Sequence, residues 1–382
     1  MLSPMGASSG DDELPYPVGT LITERYRVER KVGAGGMGTV YAADDLTAGR
    51  KVAVKVLSRM YSRDQRVVER FQREARMASQ ARHPNIIEVS DLGQTRDGRW
   101  YIAMELLDGL DLHEAINLKR TYEPAELSPV LDPVLSALEA AHALGLVHRD
   151  LKPENIFLAR TPDGEIVVKL LDFGVVKVPP EGAQAHLTRT GTIVGTPEYM
   201  APEQAMDAAV DRRADLYSLG CVAYTMLCGE SPFADKSTLL VLTGHVVRPP
   251  VPPSVRRPSL PSAQAVDEFL GRALEKKPDK RYQSAAEMRA ALAVLAAQAG
   301  DPDAAARPIT LPDKTSVEST NLQRTVVQPR TASKPTPVPR PTPMPTPQPR
   351  PSASGVSNVG LVIAALVGAL LAGAISWWIF TR

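Results

Sequence analysis

The chain has 382 residues, long enough for a sizeable core, and its 44 basic and 43 acidic side chains leave a net charge of +1. This balance argues against a general nucleic-acid-binding protein, which requires a basic excess. The only cysteines, Cys221 and Cys228, lie in an apolar stretch of helical character, about 10 Å apart along a helix axis. That separation is too large for a disulfide. With no metal-site spacing either, we interpret both as buried thiols in a reducing compartment.

The first 25 residues are rich in Ser, Gly, Pro and acidic residues and contain no apolar run. This composition predicts a disordered tail at residues 1–25 and no signal peptide.

A glycine-rich segment follows, running from Val32 to Tyr41. Glycines let a backbone approach phosphate oxygens closely and offer N–H groups to them. In a dinucleotide-binding fold the last glycine opens a helix, but here β-prone residues follow it. The segment therefore predicts a hairpin turn that covers a nucleotide. No Lys-Ser or Lys-Thr follows the glycines, so it is not a Walker loop. The residues expected to contact the nucleotide are Val32, Gly33, Ala34, Gly35, Gly36, Met37, Gly38, Thr39 and Val40.

Lys55 lies in a predicted strand, residues 51–57, whose side chains alternate between two apolar faces. A charge in such a place requires a partner. A helix predicted to begin with a capping box at Ser62 and Gln65 brings Glu74 onto its apolar face. We predict a Lys55–Glu74 ion pair that orients phosphates. A solvent-exposed edge lysine and a purely structural salt bridge are the alternatives.

Residues 101–109 read as a strand that runs into a flexible connection, which we interpret as a hinge between two lobes. We expect the backbone of this connection, at Glu105 and Leu107, to contact the edge of an adenine.

The most informative string is residues 148–155, His-Arg-Asp-Leu-Lys-Pro-Glu-Asn. It follows a helix predicted to begin at Ser128-Pro129 and to end at Gly145, so its polar residues lie in a loop on a rigid frame. Any one of these residues alone fits an ordinary polar turn, but the whole string matches the H-R-D-L-x-x-x-N loop of phosphoryl transfer. Asp172 ends the next predicted strand, and we expect Asn155 and Asp172 to hold Mg²⁺ through oxygen atoms.

In combination, these motifs resemble the eukaryotic-like protein serine/threonine kinases, most closely the bacterial membrane-bound ones, over residues 26–294. The strings Gly-Ala-Gly-Gly-Met-Gly and Ala-Pro-Glu-Gln carry the resemblance to the bacterial group. It implies an α+β fold with a small β-rich lobe, a larger helical lobe and ATP between them. Lys152, two residues after Asp150, is typical of the serine/threonine type.

The resemblance also implies residue roles. Asp150 orients or accepts the proton of the substrate hydroxyl, and Lys152 neutralises charge on the transferred group. Thr196 matches a threonine that contacts the catalytic aspartate, and Asp215 matches an acid that braces the catalytic loop. Further expectations are a pair between Glu203 and Arg281, and phosphorylation of Thr188 and Thr190 with Arg149 as the receiving group. A pseudokinase-like scaffold that binds partners at the membrane is the alternative function.

The C-terminal part changes character. Residues 295–358 read as a proline-rich juxtamembrane linker, with prolines at every second position from Pro335 to Pro351. Residues 359–380 carry no charge and predict a transmembrane helix about 33 Å long. Five basic and no acidic residues lie between Ser319 and Asn358, which places that side in the cytoplasm and residues 381–382 outside.

One face of this predicted helix is small throughout, with Gly360, Ala364, Gly368, Ala372 and Ser376 at every fourth position. Such faces let two membrane helices pair into a homodimer, but small residues are also common in membrane helices generally. Expected partners are therefore ATP, intracellular protein substrates, the lipid bilayer and a second copy of the chain. No external sensor is expected, because two residues follow the helix.

Overall fold

The computed structural model describes residues 16–35, 38–172, 197–206 and 208–312; of Arg70, Glu74 and Met77 it describes only the backbone. Several predictions fall outside these residues: Gly36, Met37, the side chain of Glu74, Thr188, Thr190, Thr196, the linker beyond residue 312 and the membrane helix. Within the described ranges, no helix has both the length and the apolar character needed to cross a bilayer.

Eight strands are described: β1 (Tyr26–Gly35), β2 (Gly38–Asp45), β3 (Arg50–Leu57), β4 (Val89–Gln94), β5 (Trp100–Glu105), β6 (Gly109–Asp111), β7 (Ile156–Arg160) and β8 (Ile166–Leu170). The helices described are α1 (Arg59–Arg63), α2 (Gln65–Gln80), α3 (Leu112–Lys119), α4 (Leu127–Ala143), α5 (Pro202–Ala205), α6 (Arg213–Cys228), α7 (Thr238–Val247), α8 (Pro253–Arg256), α9 (Ala263–Ala273) and α10 (Ala285–Gln298).

The small lobe is an antiparallel five-stranded sheet in the order β1-β2-β3-β5-β4. Alternation along β3 directs Val52, Val54 and Val56 into one apolar cluster, and Ala53 and Leu57 into another that includes residues of α2. The predicted two-faced strand is therefore confirmed. The predicted hairpin is confirmed as well, because β1 and β2 pair up to Gly35 and Gly38 on either side of the glycine-rich turn.

Residues 16–25 differ from the predicted tail, because they pack on the small lobe. Ile22 is fully buried in the cluster beneath the sheet. The Tyr16 backbone N–H donates to the Tyr41 hydroxyl at 3.0 Å, and the Tyr16 hydroxyl donates to Asp97 at 2.6 Å. The polar composition of this segment concealed the few apolar and aromatic side chains that fix it to the sheet.

The predicted capping box at Ser62 and Gln65 is wrong. Ser58 instead caps the one-turn helix α1, and the carboxylate of Asp64 accepts the N–H of Arg66 at the start of α2. The Ser62 hydroxyl accepts the N–H of Trp100 at 3.2 Å, so it joins the helix region to β5.

The large lobe is helical and is built around α4 and α6. Five apolar residues of α4 recur at helical spacing and are fully buried: Leu131, Val134, Leu135, Leu138 and Ala141. The helix begins at Leu127 rather than at a Ser128 cap, and Ser128 itself is buried. A short 3-10 turn, Pro124–Glu126, leads into it, and Pro133 lies inside it.

The large lobe extends past the predicted domain end at residue 294. Leu295 and Ala296 are buried within α10, which begins with a cap from the Ser284 side chain. Ala304 is fully buried, and Ile309 and Leu311 pack against the main core. The part of the predicted linker that the structure describes therefore belongs to the surface of the lobe.

Candidate active site

The loop that carries Asp150 is held from beneath by α6. The carboxylate of Asp215, which is fully buried, accepts the backbone N–H groups of His148 and Arg149, each at 2.8 Å. It also contacts Nε2 of His142 on α4 at 2.8 Å. The expected bracing role of Asp215 is thus confirmed as a contact, with His142 as an additional partner that the sequence analysis missed.

Two residues at this site have a positive φ. Arg149 has a φ of +62° and Asp172 a φ of +39°. Residues other than glycine rarely adopt a positive φ, and such a conformation persists only where the surrounding structure imposes it. Arg149 directly precedes Asp150, the expected catalytic residue, and Asp172 is itself one of the two residues expected to hold Mg²⁺.

Asp150, Lys152 and Asn155 form one cluster. Lys152 Nζ lies 3.9 Å from Asp150 Oδ2, and both side chains are about a quarter exposed or less. Asn155 is buried, and its Nδ2 donates to the carbonyl oxygen of Asp150 at 2.7 Å. That contact fixes the amide so that Oδ1 remains as its acceptor, the atom type that a Mg²⁺ ion takes as a ligand.

Asp172 meets this loop through the β7–β8 hairpin. Ile156 pairs with Leu170, so the residues just outside the pair, Asn155 and Leu171, are also neighbours. The N–H of Leu171 donates to the carbonyl oxygen of Asn155 at 2.8 Å. The structure therefore brings the two predicted metal-binding residues to the same end of one hairpin.

Lys55 Nζ lies 2.6 Å from Asp172 Oδ2. Burial alone raises the pKa of the Asp172 carboxyl, but the charge and hydrogen bond of Lys55 outweigh it and hold that pKa below its usual range. The carboxylate is ionised at neutral pH as a result. The predicted Lys55–Glu74 pair stays a prediction, since the side chain of Glu74 is outside the described residues.

The predicted hinge contains Glu105, whose carboxylate is occupied by the protein itself. It accepts Lys169 Nζ at 2.7 Å and the N–H of Glu88 at 2.8 Å. Both contacts fall on Oε1 and join the end of β5 to β8 and to the residue before β4, and the expected nucleotide contact of Glu105 stays a prediction. The Lys169–Glu105 ion pair was not predicted, since nothing local in the sequence relates residues 64 positions apart.

The glycine-rich turn comes close to the neighbouring strand. A Cβ atom at Gly38 would lie 2.0 Å from the carbonyl oxygen of Val56 on β3, so no larger side chain fits there without a backbone shift. The requirement for glycine at this position is structural, whatever the turn binds.

The oxygen donors present fit a Mg²⁺ ion. The ionised carboxylate of Asp172 and the amide oxygen of Asn155 are hard ligands, and two protein ligands suffice for Mg²⁺, which keeps several waters and takes substrate phosphates. No cluster of three or more His, Cys, Asp or Glu side chains suited to a metal occurs among the described residues. A metal held entirely by such side chains is therefore not indicated there.

Comparison with known proteins identifies the family. The protein kinase domain family matches residues 26–292. The chain belongs to this family. Serine/threonine-protein kinase pkn3 of Myxococcus xanthus is 42% identical over 276 residues, which cover 72% of this chain and 50% of the relative. PknB of Mycobacterium tuberculosis is 38% identical over 301 residues, 78% of this chain and 47% of the relative. This kinase chain thus spans about half the length of these curated relatives.

A solved structure supports the same assignment. The crystal structure of the Mycobacterium tuberculosis PknI kinase domain has a TM-score of 0.58 and 31% identity, and the match covers 74% of this chain and 100% of that one. The expected two-lobed fold is confirmed by this likeness and by the separate sheet and helical clusters. Members of the family use ATP with Mg²⁺, which agrees with the donor set above.

The kinase domain also contains the predicted pair of Glu203 and Arg281. The two guanidinium nitrogens meet the two carboxylate oxygens at 2.8 Å each, and the pair is buried. This prediction is confirmed. One contact near it was missed: the side chain of Gln204 donates to the carbonyl of Arg149, next to Asp150. The Ala-Pro-Glu-Gln string was its only signal, and that string alone does not say what the glutamine touches.

Proposed function

We propose that this chain is an ATP- and Mg²⁺-dependent protein serine/threonine kinase. The observation that carries the proposal is the Lys55–Asp172 ion pair, which joins the small lobe to the end of the hairpin where Asn155 lies. Across that hairpin, the loop of Asp150 and Lys152 is fixed by Asp215. A scaffold without catalysis requires none of these charged contacts to be kept together.

The residues act by position and electrostatics. Asp150 orients the hydroxyl of a protein serine or threonine and accepts its proton as the oxygen forms a bond to the γ-phosphorus and the bond to the ADP oxygen breaks. Lys152, beside Asp150, offsets negative charge on the group in transfer. Asn155 and Asp172 would hold the Mg²⁺, which neutralises phosphate charge when bound. Lys55 would bind the phosphates beneath the glycine-rich turn.

The full chain, incubated with Mg-ATP and a generic basic acceptor protein, is expected to transfer phosphate to serine and threonine. Acid hydrolysis of the labelled acceptor identifies the phosphorylated amino acids, and a parallel incubation with excess EDTA is expected to give none. Absence of transfer to any acceptor, or transfer confined to tyrosine, would contradict the proposed function.

Activation by autophosphorylation is part of the proposal. It rests on the sequence, in which Thr188 and Thr190 fall between Asp172 and Glu203, and on Arg149, whose guanidinium can pair with a phosphate. Mass spectrometry of the active full chain is expected to find phosphate on both threonines. Full activity with both unmodified would reject this mode of activation.

We also propose that the chain is anchored in the cell membrane by residues 359–380, with the kinase domain in the cytoplasm. The support is their apolar composition and the basic residues before them. The full chain is expected to stay with membranes through an alkaline carbonate wash, whereas a chain ending at residue 358 is released. Equal release of both would exclude an integral anchor.

Pairing of two membrane helices into a homodimer is a separate proposal. Cross-linking of the full chain is expected to be stronger than cross-linking of the Gly368→Ile variant, and equal cross-linking would contradict the homodimer.

A further inference from the structure

Gln204 lies in α5, directly after the Ala-Pro-Glu string, and its side-chain amide touches two different parts of the large lobe. Its Nε2 donates to the carbonyl oxygen of Arg149 at 2.8 Å, and its Oε1 accepts the N–H of Ala201 at 3.0 Å. The first contact reaches the catalytic loop, and the second completes a cap on its own helix. The amide therefore bridges α5 and the residue before Asp150.

The Gln204 amide makes both contacts at once because it carries a donor and an acceptor. A carbonyl requires a donor and an N–H requires an acceptor, so the orientation of the Gln204 amide is set by its partners. Glutamate at this position would keep the cap, because capping boxes accept either residue. It would lose the donor to Arg149, however, and place a carboxylate against a carbonyl oxygen.

The peptide that Gln204 holds is the strained one. Arg149 has a φ of +62°, and its N–H is already bound by Asp215 Oδ1 at 2.8 Å. Gln204 binds the carbonyl of the same residue. Both polar backbone groups of Arg149 are thus fixed, one from α6 and one from α5, and the next residue along the chain is Asp150. The direction in which Asp150 leaves the loop follows from the plane of this peptide.

The base of the bridge is itself rigid. Glu203, the neighbour of Gln204, forms the buried bidentate pair with Arg281. Because its neighbour is held in this way, Gln204 lies in a fixed position beside the catalytic loop. Its side chain joins α5 to Arg149, the residue before Asp150.

We propose that Gln204 is a positioning residue for phosphoryl transfer, which holds the Arg149 carbonyl and thereby the orientation of Asp150. The proposal rests on the proposed kinase function. It predicts a loss in kcat without a loss in ATP binding, because the hydrogen bonds of Gln204 to described residues reach the catalytic loop and its own helix, not Lys55.

The test compares three variants of the full chain, each brought to the same phosphorylation state and checked by mass. Gln204→Glu, which keeps the cap and loses the donor, is expected to lower kcat about tenfold, with KM for ATP changed less than about twofold. Gln204→Met loses both contacts and is expected to lower kcat about fivefold. Gln204→Lys loses the cap but restores a donor, and is expected to recover at least half of the loss seen with methionine.

The matched control is Gln264→Glu, the same chemical change on the surface of α9, where the amide contacts only Glu268 in the described structure. It is expected to keep the wild-type kcat.

The lysine and methionine variants both lack the cap, so their kcat ratio tests the donor even if the glutamate variant fails to fold. Wild-type kcat in the glutamate variant, or equal kcat in the lysine and methionine variants, would overturn the positioning role. An inactive wild-type chain would instead overturn the proposed function.

Discussion

Replacing Asp150 by asparagine is expected to lower kcat for phosphoryl transfer about a thousandfold while leaving the fold intact. Asparagine has the same shape but cannot accept the hydroxyl proton. The backbone contacts of the loop, from Asp215, Gln204 and Asn155, involve main-chain atoms and remain available. Initial rates at saturating Mg-ATP, with the thermal midpoint of each protein, measure the two expectations separately.

The control for this change is Asp235→Asn. Asp235 is exposed, and its carboxylate accepts the N–H of Ser237, a contact that an asparagine side chain can also make. It is expected to keep full activity. ATP binding measured directly, by displacement of a fluorescent nucleotide, should be similar in wild type and Asp150→Asn. Equal rates for the two proteins would show that Asp150 is not the group that handles the proton.

The parts of the site that the sequence predicts are those set by local spacing. Alternation along β3 places Lys55 away from the valines of its own strand, and this follows from strand geometry alone. The loop from Asp150 to Asn155 is short, so its polar groups are close together in the sequence as well as in the structure. The Glu203–Arg281 pair, by contrast, joins residues 78 positions apart and was expected only from the family resemblance.

The contacts that the sequence does not predict are those in which several chemically similar side chains could serve as the partner and tertiary packing selects one of them. Ser58 and Ser62 are both chemically able to cap a helix, and packing against β5 decides that Ser62 binds the Trp100 N–H instead. Lys55 has two acidic candidates, and no periodicity relates it to Asp172, which lies 117 positions away. Gln204 was overlooked for the same reason, because its partner at Arg149 is set by tertiary packing.

Domain boundaries show a different limit. Composition assigned residues 16–25 to a disordered tail and residues 295–312 to a proline-rich linker, yet Ile22 and Ala304 are fully buried. A few apolar side chains fix a segment when a complementary surface exists, and average composition does not register them. The ordered unit is therefore longer at both ends than the kinase motifs alone indicate.

Arg281→Met is expected to lower the free energy of unfolding by about 3–5 kcal/mol, because it leaves the carboxylate of Glu203 buried without its partner. Arg281 is 1% exposed, and its guanidinium also donates to the carbonyl oxygens of Glu275, Lys276 and Arg213 at 2.7–3.2 Å. It lies 4.7 Å from the centre of the Tyr217 ring. In a domain of this size the loss corresponds to a fall in Tm of roughly 10 °C, which a thermal melt of the full chain in mild detergent measures.

Two further variants separate the pair from its surroundings. In Arg289→Met the lost partner is Asp132, and that bidentate pair is partly exposed to water, so the expected loss is at most about 1 kcal/mol. The double variant Glu203→Met with Arg281→Met removes the unpaired charge, and its Tm is expected to lie above that of Arg281→Met alone. It should stay below wild type, because three backbone carbonyls still lack their donor. If Arg281→Met and Arg289→Met melt at the same temperature, the buried pair does not support the large lobe.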